Sequence, residues 1–336
     1  MVILELVLAV LLSLLITPAA IKMGILDKPN YRKIHDKPIP KGGGIGIFIP
    51  VIILELMNFL FFRATITLDV YKFFTILLVT FTLMILGIID DKYDLGSNIK
   101  LFIQIILTLL TLGSGIRFHT FDIMVLDLLL TAVWIIGIIN AVNLIDGLDG
   151  LAAGIAIISC AGFSVIGYAF GSKTIVMLSL LLIGGCLGFL KYNFRPARIF
   201  MGDTGSVPLG YNLAILGILC ENAISGNASI LIPVIMVGVP IYDTLLTVTR
   251  RAFNHKPIFL PDRSHFYNLM IDLKGVEHKW TVLIIYGFNI VLVTISSLLA
   301  FSGDIWRIVS TGIIIFAVCL LSKRLGFIRT DELSEK

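Results

Sequence analysis

The sequence predicts an all-α fold, a polytopic integral membrane bundle of about eleven transmembrane helices with its N-terminus outside and its C-terminus in the cytoplasm. Three observations predict it. Of the 336 residues, 57% are hydrophobic and 14% charged, with a mean hydropathy of +1.00. Soluble domains run at roughly 45–50% apolar and about 25% charged, so this chain has too few charges to coat a water-facing surface. The apolar residues also gather in unbroken stretches of about 16–22, near the ~20 that a helix needs to cross the hydrocarbon. Barrel strands alternate and give no such runs. Finally, the segments 22–44, 90–100, 143–149, 191–206, 248–279 and 322–336 hold 21 of the 26 Lys and Arg residues. That bias places those segments in the cytoplasm. Disorder and nucleic-acid binding are excluded by the same composition.

The stretches follow in order. The first, 2–21, begins apolar without a basic leader and contains Glu5, which argues against a cleaved signal peptide. Next come 45–62 and 72–89, the latter running into Asp90 and Asp91. The stretch 100–117 is interrupted by Gln104; 124–142, 150–170 and 174–190 are cleaner. Asn212 lies within 207–221, and 229–247, 280–300 and 305–321 complete the set. Cys160, Cys186, Cys220 and Cys319 sit inside these stretches without ligand-like spacing and read as buried small apolar residues. Phe266, Leu269, Met270 and Leu273 recur at i, i+3, i+4 and i+7. That spacing predicts an amphipathic helix lying on the inner interface, capped by Asp262, with His265 in its first turn.

The outer connections are too short for an external domain, so residues 1–336 read as one membrane domain whose cytoplasmic loops form the site. A transporter is the alternative of a different class. It predicts internal repeats and charges near the midplane. Here 15 of the 22 acids lie in or beside the cytoplasmic loops.

Those acids form the chemistry-bearing clusters. Asp90, Asp91 and Asp94 end a helix, where carboxylates oppose the dipole and repel each other. They are either a solvated end neutralised by Lys92 or the seat of a cation or shared proton. In NAVNLIDGLDGLAAG, residues 140–154, Asn140, Asn143, Asp146 and Asp149 recur every third residue with no Lys or Arg among them. A hard divalent ion held by one or two carboxylates and substrate phosphates suits that set, and an Asx-capped turn is the plainer reading. KYNFRPARIFMGDTGS, residues 191–206, adds Arg195 and Arg198 for phosphate, Phe200 as a stacking face and Asp203 between glycines. The glycines after Lys41 could present backbone N–H groups to anions. Their coincidence on one membrane face points to a Mg²⁺-dependent site for a phosphate-bearing substrate.

Taken in order, GGGIGIF (42–48), IIDDKYD (88–94) with Lys100, NAVNLIDGLDGLAAG, NFRPARIFMGDTGS (193–206), VPIYDT (239–244) and PDRSH (261–265) resemble the motifs of a known family. It is the polyprenyl-phosphate N-acetylhexosamine-1-phosphate transferases, of glycosyltransferase family 4. The resemblance implies transfer of a sugar-1-phosphate from a UDP-N-acetylhexosamine to a membrane lipid phosphate with release of UMP. The DKPNYRKIHDKPIP segment resembles the branch that uses GlcNAc-1-phosphate and undecaprenyl phosphate to start cell-surface glycans. A phospho-MurNAc-pentapeptide transferase, whose last large loop carries three consecutive histidines, and donors with other N-acetylated sugars are the alternatives. The His-x-His-His motif of the GlcNAc branch is reduced here to His265, followed by Phe266, Tyr267 and Asn268.

Carried over position by position, the resemblance puts the Mg²⁺ ligand, with Mn²⁺ as a candidate substitute, on Asp203, with Asn143 beside it. Asp90, Asp91, Asp146 and His265 fall on catalytic positions. Lys100 falls on a phosphate contact, and Asp149, Asn193 and Phe200 on the uridine pocket; Arg195 and Arg198, read from the residues alone, add positive charge for phosphate or backbone contacts. The inner, cytoplasmic membrane is the expected location, with membrane lipids around the chain and room for a homodimer.

Overall fold

Each apolar stretch becomes a helix because a backbone in hydrocarbon must satisfy its own hydrogen bonds. The structure, a computed structural model, describes residues 2–27, 38–61, 68–253 and 265–327. The helices are α1 (Val2–Lys22), α2 (Gly44–Phe61), α3 (Val70–Tyr93), α4 (Ser97–Gly113), α5 (Met124–Ile145), α6 (Leu151–Ala169) and α7 (Lys173–Asn193). They continue with α8 (Asp203–Ala223), α9 (Leu231–Met236), α10 (Gly238–Phe253), α11 (Phe266–Asp272), α12 (His278–Leu299) and α13 (Asp304–Arg324). A two-residue antiparallel pair, β1 (Leu26–Asp27) with β2 (Ile39–Pro40), precedes α2. The protein is an all-α polytopic membrane bundle. Among the described residues eight helices, α1 to α3, α5 to α7, α12 and α13, are long and apolar enough to cross a bilayer, and the shorter apolar α4 has 17 residues.

Ten of the eleven expected stretches each fall on one helix. The exception is 229–247, which is divided between α9 and α10 at Val237. Gly238 and Pro240 explain the break. Glycine lowers the cost of leaving the helix, and proline, lacking an N–H, is accommodated in a first turn but not in a helix interior.

Helix α8 occupies the middle of the bundle, against α3 and α5, and is buried along nearly its whole length. It carries more polar groups than its neighbours because they are paired inside protein. Asn212 Nδ2 donates to Thr80 Oγ1 at 3.0 Å, and the Tyr211 and Thr111 hydroxyls lie 3.0 Å apart. Small residues permit the close crossings: a Cβ on Gly87 would strike the Asp203 and Thr204 backbone, and one on Gly44 would strike Gly205.

Three expectations are corrected. Cys160, Cys186 and Cys220 are buried, whereas Cys319 is exposed on α13, a helix whose surface is mostly uncovered. The amphipathic helix exists as α11, but its apolar face is packed on protein: Leu269 and Met270 are buried with Leu246 and Phe327. Apolar side chains from α10 and the residues after α13 cover what the sequence alone left to the membrane interface. His265 takes the N-cap position of α11 rather than its first turn. Asp262 and most of the DKPNYRKIHDKPIP segment lie outside the described residues.

Candidate active site

The loops that share the basic bias meet at one end of the bundle. At that end α3 brings Asp90 and Asp91, α4 brings Lys100, α5 ends on Asn143 and Asp146, and α8 begins on Asp203. The Lys100 ammonium lies between two carboxylates, 3.1 Å from Asp90 Oδ2 and 2.8 Å from Asp203 Oδ2. Asp203 Oδ1 accepts from Asn143 Nδ2 at 2.8 Å, and that amide also donates to Ser206 Oγ at 2.8 Å. Asp90 Oδ1 accepts from the Leu95 N–H at 2.9 Å, which ties the carboxylate to the turn after α3.

Adjacent in sequence, Asp90 and Asp91 do different work. Gly202, the N-cap of α8, has no side chain to satisfy that helix's first amides. Asp91 supplies the cap from α3: its Oδ1 accepts from Asp203 N at 3.2 Å, and its Oδ2 from Thr204 N at 3.1 Å and Thr204 Oγ1 at 2.6 Å. A carboxylate at a helix N-terminus meets both the unpaired amides and the positive end of the dipole. Gly202 adopts φ +67°, and a Cβ there would strike that carboxylate.

Asp146 stands apart. Its carboxylate takes no hydrogen bond among the described residues. Burial, then the negative charges of Asp203 and Asp91, hold its pKa well above the usual carboxylate range. Among the described residues no three His, Cys, Asp or Glu side chains close into a metal cage. The set fits Mg²⁺ instead, which takes one or two carboxylates and completes its shell with water and substrate phosphate. Asp203 and Asp146 could supply the carboxylates, and Asn143 retains an oxygen, Oδ1, that accepts nothing among the described residues.

The remaining expected residues divide. Asp149 Oδ2 accepts from Ala197 N at 3.2 Å, placing it beside the loop that carries the exposed Arg195 and Arg198. Asn193 is buried with both ends engaged, Oδ1 by Gly150 N at 2.9 Å and Nδ2 on Ile199 O at 2.9 Å; it pins that loop to the Gly150 turn. Phe200 is half-buried, its backbone clamped by Pro40 O and Gly43 N. The glycines after Lys41 do not offer a free anion nest, because Gly43 N and Gly44 N donate to Phe200 O and Met201 O at 3.0 and 3.2 Å. His265 lies against α10, its Nδ1 2.8 Å from Asp243 Oδ2.

Four residues at this end were given no role from sequence. Lys41 pairs with Asp27 at 3.0 Å; burial opposes its charge, but Asp27, Asp91 and Asp203 outweigh that and raise its pKa. His278 Nε2 accepts from Asp149 N at 3.3 Å. Tyr267 donates to Leu144 O at 3.3 Å and fills the space beside Gly147. Asp243 is fully buried. For Asp243 a signal was present, a lone acid inside an apolar stretch with Thr247 one turn on, although nothing in the pattern names His265 as its partner.

The chain is similar in sequence to known proteins. The glycosyl transferase family 4 model matches residues 73–221, a stretch that contains every one of these acids from Asp90 to Asp203. A relative in Bacillus subtilis (strain 168), a "probable undecaprenyl-phosphate N-acetylglucosaminyl 1-phosphate transferase", is 39% identical over 313 residues, covering 89% of this chain and 85% of its own. The chain belongs to glycosyl transferase family 4. As a member of that family it is a transferase. The chain is also similar to a decaprenyl-phosphate N-acetylglucosaminephosphotransferase of Mycobacterium tuberculosis (strain ATCC 25618 / H37Rv), 30% identical over 80% of this chain and 74% of its own. An undecaprenyl-phosphate alpha-N-acetylglucosaminyl 1-phosphate transferase of Thermotoga maritima is 26% identical over 96% of this chain and 98% of its own.

Proposed function

We propose that this family member transfers GlcNAc-1-phosphate from UDP-GlcNAc to undecaprenyl phosphate with Mg²⁺, releasing UMP and starting a cell-surface glycan. The site faces the cytoplasm, in a bundle that crosses the inner membrane eleven times with its N-terminus outside. One observation carries the reading: Asp90, Lys100, Asn143 and Asp203, from four helices, meet beside Asp146, whose carboxylate takes no hydrogen bond among the described residues. The names of the relatives support the lipid phosphate and the N-acetylglucosaminyl group.

An oxygen of the lipid phosphate attacks the phosphorus that bears the sugar. A P–O–P bond forms, the bond to the uridylyl phosphate breaks, and UMP leaves. The second pKa of a phosphate monoester is roughly 6, so the lipid phosphate is largely dianionic at neutral pH. Two dianions then give two dianions, and no net proton moves. The protein's task is to hold like charges together. Lys100, fixed by Asp90 and Asp203, presents positive charge to the phosphates. Arg195 and Arg198, exposed on the 191–200 loop, meet the donor, and Asp149 orients that loop. Asp203, Asp146 and Asn143 would hold Mg²⁺, which would supply charge neutralisation at phosphate oxygens. His265 faces the donor phosphates.

The test is UMP release by detergent-purified protein given Mg²⁺, undecaprenyl phosphate and a panel of UDP-sugars. UDP-GlcNAc should be the preferred donor, EDTA should stop the reaction, and Mg²⁺ or Mn²⁺ should restore it. Release from UDP-MurNAc-pentapeptide alone, or from no donor, overturns the reading.

A further inference from the structure

His265 is held far more tightly than an imidazole that only fills space. Its Nδ1 lies 2.8 Å from Asp243 Oδ2 and 3.5 Å from Thr247 Oγ1, one turn further along α10. Its ring stacks on Tyr267 with centroids 5.5 Å apart and planes 4° from parallel. Tyr267 in turn donates to Leu144 O, on the last turn of α5 before Asp146. Among the described residues Nε2 takes no hydrogen bond.

Asp243 is 0% exposed, yet both of its oxygens are used at the same place. Oδ2 takes His265 Nδ1, and Oδ1 accepts from the Phe266 N–H at 2.6 Å. The second bond satisfies a first amide of α11, which leaves the N-cap residue, His265, free of capping. A carboxylate is costly to bury unless every lone pair is answered. A carboxylate facing Nδ1 fixes which nitrogen carries the proton, and the other nitrogen is thereby presented outward.

We propose that Asp243 is a positioning residue of the transfer reaction, holding His265 with Nδ1 donating to its carboxylate and Nε2 turned to the donor phosphates. The inference rests on the reading that His265 faces those phosphates. Asp243→Asn isolates the effect. The Asn Oδ1 keeps the Phe266 N–H, so its Nδ2 must face His265 Nδ1 as a donor. The imidazole then carries its proton on Nε2.

The experiment compares His265→Ala, Asp243→Asn and the double variant in UMP release from UDP-GlcNAc and undecaprenyl phosphate. It adds ¹⁵N spectra of the ¹⁵N-histidine-labelled full chain, with the His265 signal assigned by its loss in His265→Ala. Asp243→Asn should lower kcat by roughly 10–100-fold, the range for losing an orienting partner, with a smaller change in KM. The double variant should be no worse than His265→Ala, because Asp243→Asn keeps the Phe266 bond and acts on turnover through that ring. The His265 signal should show a protonated Nδ1 in the native protein and an Nε2–H tautomer in Asp243→Asn.

Additive losses in the double variant, or an Nε2–H tautomer in the native chain, overturn the proposal while leaving the reaction in place. Full activity of His265→Ala removes the histidine from the site and the proposal with it. Should Asp243→Asn not fold, the native spectrum alone decides, and it needs no substrate.

Discussion

Asp91 on α3 caps α8 through Thr204, its Oδ2 2.6 Å from the threonine hydroxyl and 3.1 Å from the threonine amide. Two helices distant in sequence are thereby joined at the residue after Asp203. The adjacent Asp90 instead holds Lys100. Neighbours in the chain therefore serve position and charge separately.

The two residues should respond differently to substitution. Asp91→Ala removes all three bonds of the cap and should destabilise by about 1–2 kcal/mol, whereas Thr204→Val removes only the hydroxyl bond and should cost less. Their double variant should lose little more than Asp91→Ala alone, since the hydroxyl bond is one of the three that Asp91→Ala already breaks. Asp90→Asn keeps an oxygen for the Leu95 amide and should leave the melting temperature nearly unchanged while lowering kcat. Thermal unfolding in detergent, read beside UMP release, checks both. Strictly additive destabilisation by Asp91→Ala and Thr204→Val would dissolve the cap.

Asp146 makes a metal prediction that needs no turnover. Its folded pKa is raised, by burial and then by Asp203 and Asp91, so the folded state holds a proton that the unfolded chain has released. Without metal, stability therefore falls as pH climbs from the ordinary carboxylate value through the raised one. Asp146→Asn removes that loss and should melt higher than the native protein at neutral pH in EDTA. Mg²⁺ should raise the melting temperature of the native protein and barely move that of Asp146→Asn. An equal Mg²⁺ shift in both proteins excludes Asp146 from the metal site.

How far these residues could be read from sequence depends on the range of the interaction involved. The helices were legible because burial in hydrocarbon imposes length and hydropathy on each stretch separately. The acids of 90–94, 140–154 and 203 were legible because clustered carboxylates repel one another unless a cation or a shared proton relieves them. Pairwise assignments were not. That Asp91 caps a helix beginning 112 residues later depends on the α3–α8 crossing, which glycines such as Gly87 permit. The glycines at 42–44 looked like an anion nest, but packing against residues 200–201 uses two of their amides. Asp243 stood in a quoted motif, yet its partner lies 22 residues away. The break at Val237 was written in Gly238 and Pro240, which an apolar count across 229–247 does not weigh.

Sidedness is testable on one helix. Lys173 and Arg195, at or just beyond the two ends of α7, are both exposed. In a chain lacking Cys319, the one exposed cysteine, Lys173→Cys should react with an impermeant thiol reagent added to intact cells. Arg195→Cys should react only after the membrane is opened. The reverse pattern would turn the bundle over and move the site out of the cytoplasm.

Lys100 should have two opposed effects. Its ammonium is 2.8 Å from Asp203 Oδ2, the carboxylate that holds Mg²⁺ in the proposed reaction. A cation already there competes with the metal, and it also neutralises the phosphates that must approach each other. Two unit charges 4 Å apart near a protein surface interact by about 4 kcal/mol, and solvent around a quarter-exposed lysine leaves only a part of that. Lys100→Met should therefore lower kcat by roughly 10²–10³-fold, as loss of one charge-stabilising donor does elsewhere. The same variant should reach half-maximal rate at a several-fold lower Mg²⁺ concentration, because Asp203 no longer shares its charge. Mg²⁺ titrations of both proteins, each scaled to its own maximal rate, separate the two effects. A higher Mg²⁺ requirement in Lys100→Met would mean that the lysine assembles the metal site instead of competing with it.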